Sequence, residues 1–185
     1  MSTRELEAEI RDLAARRDIA DVTHRYMRGL DRIDRELLLS AFHADAHVDC
    51  GVMEGDPNAF ADFALGFLGD MNGTHHILGQ VRIEMTGDHS ARGECYFQAF
   101  HDISDEAGQA RDLFIAGRYL DAYTCVNGEW RIARRTLITD WVSDQPGSRT
   151  FFADNPQAGR GQRNGNDFSQ QGDWSTPASL KRTNS

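Results

Sequence analysis

The sequence predicts an α+β domain, with helices first and a curled, mainly antiparallel sheet second. Three observations lead there. From Leu6 to Leu30 the apolar residues recur at three- and four-residue steps, the spacing of one helix face. In the second half the period changes to two over four segments, as it does in strands that bury one side. Turn signals separate those segments, so the strands run as an antiparallel meander with the helices packed on one face.

The first helix is carried by Leu6, Ile10, Leu13, Ile19, Val22, Tyr26 and Leu30, with one skip, and Gly29 weakens its end because glycine loses the most backbone freedom. Asp34 stands before "RELLLSAF", where a short acceptor can satisfy the free N–H groups of a second helix. "HADAHVDCG" reads as a short extended piece. "PNAFADFALGFLGDM" reads as a third helix, with Pro57 tolerated in its first turn. The strands follow over 76–85, 90–101, 111–124 and 130–141, joined by "TGDH", "SDEAG" and the Asn127-Gly128 hairpin signal. No internal repeat is present.

A length of 185 residues fits one domain with a real core. The net charge of −9 repels a phosphate backbone, and no run of Lys and Arg interleaved with aromatics offsets it, so a nucleic-acid partner is not expected. Cys50, Cys95 and Cys125 form neither a CxxC pair nor an even disulfide set, which fits a cytoplasmic protein. The N-terminus lacks an apolar signal region and no stretch reaches the length of a membrane span. His43 and His47 share an HxxxH spacing but lack a third ligand, so no metal is expected. The domain is expected to end near residue 145. From 146 to 185 the chain is rich in Gly, Asn, Gln and Ser, a composition that predicts disorder. Phe151, Phe152, Phe168 and Trp174 favour the other reading, a segment docked on the domain or on a neighbouring subunit.

Hairpin geometry bears on the histidines of "GTHHILGQ". If "TGDH" or Gly87-Asp88 forms the first loop, facing residues have numbers that sum to 175, so Met85 faces Ser90 and His76 faces Ala99. His101 then shares the face of His76 at the diagonal distance of roughly 7–8 Å. That face also carries Leu78, Gln80, Cys95, Phe97 and Ala99, a mixture suited to a pocket wall. His75 points the other way with Ile77, Val81, Ile83 and Met85. A hydrogen-bonded sheet histidine is the plainer account of His76. At the second hairpin the sum is 255, which sets Arg134 opposite Asp121 as a surface ion pair. Arg135 faces Leu120 and shares its side with Arg118, Leu137 and Trp141, either snorkelling to water or holding an anion.

The blocks "HRYMRGLDRIDRELLLSAFHADAHVDCG", "THHILGQVRIEMTGDHSARGECYFQAFH", "GRYLDAY" and "GEWRIARRTLITDW" resemble the SnoaL-like branch of the nuclear transport factor two-like superfamily. The resemblance spans roughly residues 10–142. It implies a cone-shaped α+β barrel whose helices and curved sheet enclose a pocket. Within the branch the sequence is most similar to scytalone dehydratase, bile-acid dehydratase and hexachlorocyclohexane dehydrochlorinase, lyases that use no cofactor. There a strand His is paired with an Asp that follows the first helix, and the matching positions are His76 and Asp31. The dehydratase Tyr matches Tyr26, the second strand His matches His101, and the Arg of the "RT" motif matches Arg135. Gln80 stands where many members carry Asn.

By resemblance, then, His76 is a general base, Asp31 fixes its tautomer, and Tyr26, His101 and Arg135 can serve the leaving group. Leu78, Gln80, Phe97 and Trp141 would line the pocket. The implied reaction is an elimination on a small, largely apolar molecule of aromatic, polycyclic or steroid-like kind. The implied assembly is a homotrimer, or a dimer. On residues alone, Asp31 also reads as a helix cap and Tyr26 as core. Other readings are an isomerase or cyclase, a non-catalytic ligand-binding module, and the small subunit of an aromatic-ring dioxygenase.

Overall fold

A computed structural model describes residues 2–170. Ser2 starts helix α1 (Thr3–Arg32) with a capping box: its hydroxyl accepts from the Glu5 N–H while the Glu5 carboxylate accepts from the Ser2 N–H. Burial begins only at Ala15. Leu6, Ile10 and Leu13 share the apolar spacing yet are exposed. Gly29 does not end the helix. It admits its neighbour: a Cβ at this position would lie 2.7 Å from the Leu38 nitrogen in helix α2 (Arg35–Leu39). Asp34 caps α2 as expected, accepting from the Leu37 N–H.

Strand β1 (Phe42–Asp49) and the short β2 (Glu54–Gly55) precede helix α3 (Pro57–Gly69), which Asp56 caps. Four long strands follow: β3 (Gly73–Gly87), β4 (Ser90–Ser104), β5 (Ala110–Val126) and β6 (Glu129–Pro146). They form one curved, unclosed sheet in the order β2-β1-β6-β5-β4-β3, antiparallel except where β1 runs parallel to β6. The three helices cover its concave face. Ile19, Val22 and Leu30 of α1, Leu38 of α2 and Phe60 of α3 meet Phe97, Tyr119, Tyr123 and Ile132 of the sheet in one core. Among the described residues no helix is long and apolar enough to cross a membrane.

Register is where the sheet departs from simple alternation. Gly87 faces Ser90 across a two-residue turn, and Met85 faces Ala91 rather than Ser90. Two irregularities in β3, one between Met85 and Gly87 and one between Leu78 and Val81, then bring His76 opposite Ala99, as expected. The second of them turns Val81, Ile83 and Met85 inward against the core and leaves Gln80 exposed. A bulge in β6 between Ile132 and Arg134 sets Asp121 opposite Arg135, so the expected Arg134–Asp121 surface pair does not form. Arg118 sits outside, bound to Glu94 and Asp140. A further bulge at Asp140 turns Trp141 to the convex side, where 65% of it is exposed, and removes it from the expected pocket wall. Gly117 makes this bulge sterically accessible, since a Cβ there would lie 2.1 Å from the Ile138 carbonyl oxygen.

After β6 the chain forms helix α4 (Thr150–Asp154) and a 3-10 turn at Phe168–Gln170. Residues 160–170 dock on the C-terminal end of α1, where Arg32 pairs with Asp167 at 2.9 Å. Phe151 and Phe152 remain partly in solvent. Trp174 lies outside the described residues.

Candidate active site

Asp31 does not follow α1. It occupies the last turn of that helix, whose end is fixed by Ile33 in the left-handed region (φ 52), with the Ile33 N–H turned back to the carbonyls of Gly29 and Leu30. From there the carboxylate spans to the His76 rung near the start of β3. Its Oδ1 lies 2.7 Å from His76 Nδ1, and its Oδ2 accepts the His76 backbone N–H at 2.9 Å. Both side chains are over nine-tenths buried. Two contacts to one residue fix carboxylate and ring together. With Nδ1 engaged by a carboxylate, the neutral imidazole carries its proton there and presents Nε2 as a lone pair. No described residue makes a hydrogen bond to Nε2.

Burial works against the Asp31 charge and is the largest single influence on it. The hydrogen bonds and charge of His76, with help from Thr74, outweigh burial and hold the carboxyl below its ordinary 3.8. A carboxyl lowered on folding stabilises the fold fully above its unfolded value and ceases to do so as pH falls through its folded value.

His101 lies beside the dyad. Its ring meets that of His76 edge-on, 5.5 Å between centroids, and its Nδ1 donates to the Leu113 carbonyl at 3.0 Å. Burial chiefly, with repulsion from His76 and Arg163, lowers the His101 pKa below 6.5 against the opposing pull of Leu113 and Asp31. The neutral ring therefore offers an acceptor at Nε2. The expected titration midpoint of His101, followed by its ring nitrogens in NMR, lies below 6.5, and a midpoint above 6.5 contradicts this arrangement. His75 is exposed on the other face.

Tyr26 and Arg135 form a second group, deeper in the core. Arg135 donates from Nε and Nη2 to Asp121 at 2.8 and 2.7 Å, and Tyr123 donates its hydroxyl to the same carboxylate at 2.6 Å. The guanidinium carbon lies 4.0 Å from the Tyr26 ring centre and 4.1 Å from that of Tyr119. Arg135 does hold an anion, and the anion is internal. Its Nη1 has no hydrogen-bond partner among the described residues. Burial opposes the charge most strongly, yet Asp121 overrides it and keeps the guanidinium pKa above its ordinary range. Phe97 stacks on Tyr119 at 4.6 Å, and Leu78 packs against the core beside it.

Sequence reasoning missed Asp121 and Arg163. Asp121 was hidden by the β6 bulge, although the switch of apolar positions from the even Trp130 and Ile132 to the odd Leu137 marks the slip. Arg163 belongs to the docked extension and carries no local signal. A cleft of about 940 Å³ reaches Asp31 and His101 and is bordered by Leu113, Phe152, Arg160 and Arg163, while His76, Leu78, Gln80, Phe97 and Trp141 do not line it. His43 bonds the Thr124 carbonyl and His47 lies 2.9 Å from Glu54, so the two diverge.

Helices on the concave face of a curved, unclosed sheet, with a buried His–Asp pair between the two layers, make an α+β cone. The family model for the SnoaL-like domain matches residues 11–136, and the chain belongs to that family. Among solved structures, a hexachlorocyclohexane dehydrochlorinase (LinA) of type 2 superposes with a TM-score of 0.69 at 22% identity, covering 76% of this chain and 95% of its own. A candidate scytalone dehydratase from Novosphingobium aromaticivorans DSM 12444 gives 0.66 at 23% identity, over 76% of this chain and 93% of its own. The β subunit of a candidate aromatic-ring-hydroxylating dioxygenase from the same organism gives 0.57 at 22% identity, over 71% and 93%. At these identities the likeness is one of fold. A search of curated proteins gives no match.

Proposed function

We propose that this chain is a cofactor-independent lyase that eliminates a leaving group from a small, largely apolar ring compound, with His76 as general base and Asp31 as its orienting partner. The observation that carries the reading is the 2.7 Å contact between His76 Nδ1 and Asp31, which leaves Nε2 directed elsewhere. In the proposed step Nε2 takes a proton from a ring carbon, the C–H electrons become the new double bond, and the leaving group departs with its bonding pair. Asp31 stabilises the imidazolium that forms. His101 Nε2 accepts a hydrogen bond from the substrate, because its neutral tautomer has no proton to give there. The leaving group is assigned to Arg135 Nη1 and Tyr26. Leu78 and Phe97 supply apolar wall. In this reading residues 1–145 form the catalytic unit and the extension serves it.

The test is turnover of ring compounds that carry a leaving group beside an acidic C–H. Hexachlorocyclohexane, read by chloride release, and scytalone, read by loss of water, are the first probes, since proteins of this fold bear those names. Tight binding of such compounds without elimination or solvent-deuterium exchange would favour a ligand-binding module. Co-purification with a large iron–sulfur subunit would favour the dioxygenase-subunit reading that the third structural likeness raises.

Asp31→Asn is expected to keep the fold and lose most of the turnover, because an amide can hold the wrong imidazole tautomer. Acid unfolding of this variant should also be less steep than in the parent, since the carboxyl whose pKa is lowered on folding is gone. Parent-like turnover would reduce Asp31 to a structural group.

A further inference from the structure

We infer that Arg163, in the extension beyond the family core, is a positioning residue of the His76–Asp31 dyad. The inference rests on the dyad reading above. Asp31 is the penultimate residue of α1, an awkward place for a carboxylate. The last carbonyls of a helix lack intrahelical partners, and the negative end of the helix disfavours a second negative charge.

Residues 160–170 answer both problems. The Asn164 N–H donates to the Arg32 carbonyl at 2.9 Å, capping the turn that bears Asp31. Arg32 Nη1 donates in return to the Gln162 carbonyl and to Asp167, each at 2.9 Å. Asp167 organises the loop by also accepting from the N–H groups of Gln162 and Ser169. Held this way, Arg163 reaches across two further elements. Its Nη1 donates to the carbonyls of Leu68 and Met71 at the end of α3, at 2.9 and 3.0 Å, and its Nη2 donates to Thr74 Oγ1 at 3.1 Å.

Thr74 is the link. It stands two residues before His76 on β3 and lines the same cleft as Asp31 and Arg163, and its hydroxyl favours the ionised carboxyl. Arg163 also attracts Asp31 through its charge. The titratable groups that act on Asp31 are His76 from β3, His101 from β4 and Arg163 from the extension; Arg32 adjoins it and is paired with Asp167, and His75, Asp102, Asp112 and Arg160 line the same cleft. One guanidinium ties together the loop on α1, the end of α3 and the start of β3, the elements that set the dyad.

The experiment is a carbon-13 NMR titration of the Asp31 carboxyl in the full chain, its signal assigned by loss in Asp31→Asn. Arg163→Met is expected to move the midpoint upward, because a positive charge and the polarisation of Thr74 are both lost. Arg163→Lys is expected to return it most of the way. Arg163→Gln serves if the Met variant does not fold. A clasp with a purely structural role would lower the melting temperature and leave the midpoint in place. An unmoved midpoint in the folded Met or Gln variant overturns the inference, and so does a failure of lysine to restore a midpoint that has moved. Neither result bears on the lyase reading, which is decided by turnover in the His76 variant.

Discussion

Replacing His76 with Ala is expected to lower turnover by about 10²-fold or more, the lower end of what a positioned general base contributes. The geometry makes the loss specific to one ring. His76 holds Asp31 through side chain and backbone, and only its Nε2 is free of a described partner. Asp31 keeps the backbone N–H at 2.9 Å in the variant, so the fold should survive and the melting temperature should move far less than the rate. His75→Ala, on an exposed ring, should leave turnover near the parent. Reversal of that order would place the base on the wrong histidine. The double variant with Asp31→Asn should be hardly slower than His76→Ala alone, because base and orienter act as one unit.

Asp121→Ala is expected to destabilise the protein by about 3–5 kcal/mol, the range found when one member of a buried ion pair is removed and its partner is left uncompensated. Arg135 is 1% exposed and gives two of its nitrogens to Asp121, and Tyr123 donates to the same carboxylate. Removing Asp121 strips a guanidinium and a phenol of their acceptor at once. Arg134→Ala is the natural comparison, since Arg134 is exposed and a surface substitution of that sort usually stays within about 0.5 kcal/mol. Urea unfolding of the two variants checks the contrast. Equal, small losses would mean that the Arg135 charge finds other partners.

What could be read from sequence follows from where local rules operate. The pairing of Asp31 with His76 was legible through the family blocks, which named the two together, whereas the hairpin rule placed His76 opposite Ala99 only because two irregularities in β3 offset the different register at the turn. The identities of Gln80, Trp141 and Asp121 as exposed or buried were not, because each lies beyond a bulge. The signals were present. Gly79 interrupts a strand pattern, and inward positions switch from even at His76 and Leu78 to odd at Val81, Ile83 and Met85. Such a switch is visible only if each strand is allowed more than one phase. Arg163 was illegible for another reason: its contacts reach back 89 to 95 residues from a segment without periodicity.

The two irregularities of β3 also constrain how this hairpin can change length in evolution or engineering. The turn alone, Gly87 opposite Ser90, would bring His76 opposite His101 on the concave side. One extra residue would bring it opposite Phe100, whose ring is exposed, and the base would leave the interior. Two extra residues restore an inward rung, opposite Ala99. Length is therefore tolerated here only in even steps. A single-residue deletion at Gly79 or Gln80, a few residues past the histidine and trivial in mass, would invert the chemistry of the strand, whereas a paired deletion would slide the histidine along the same wall.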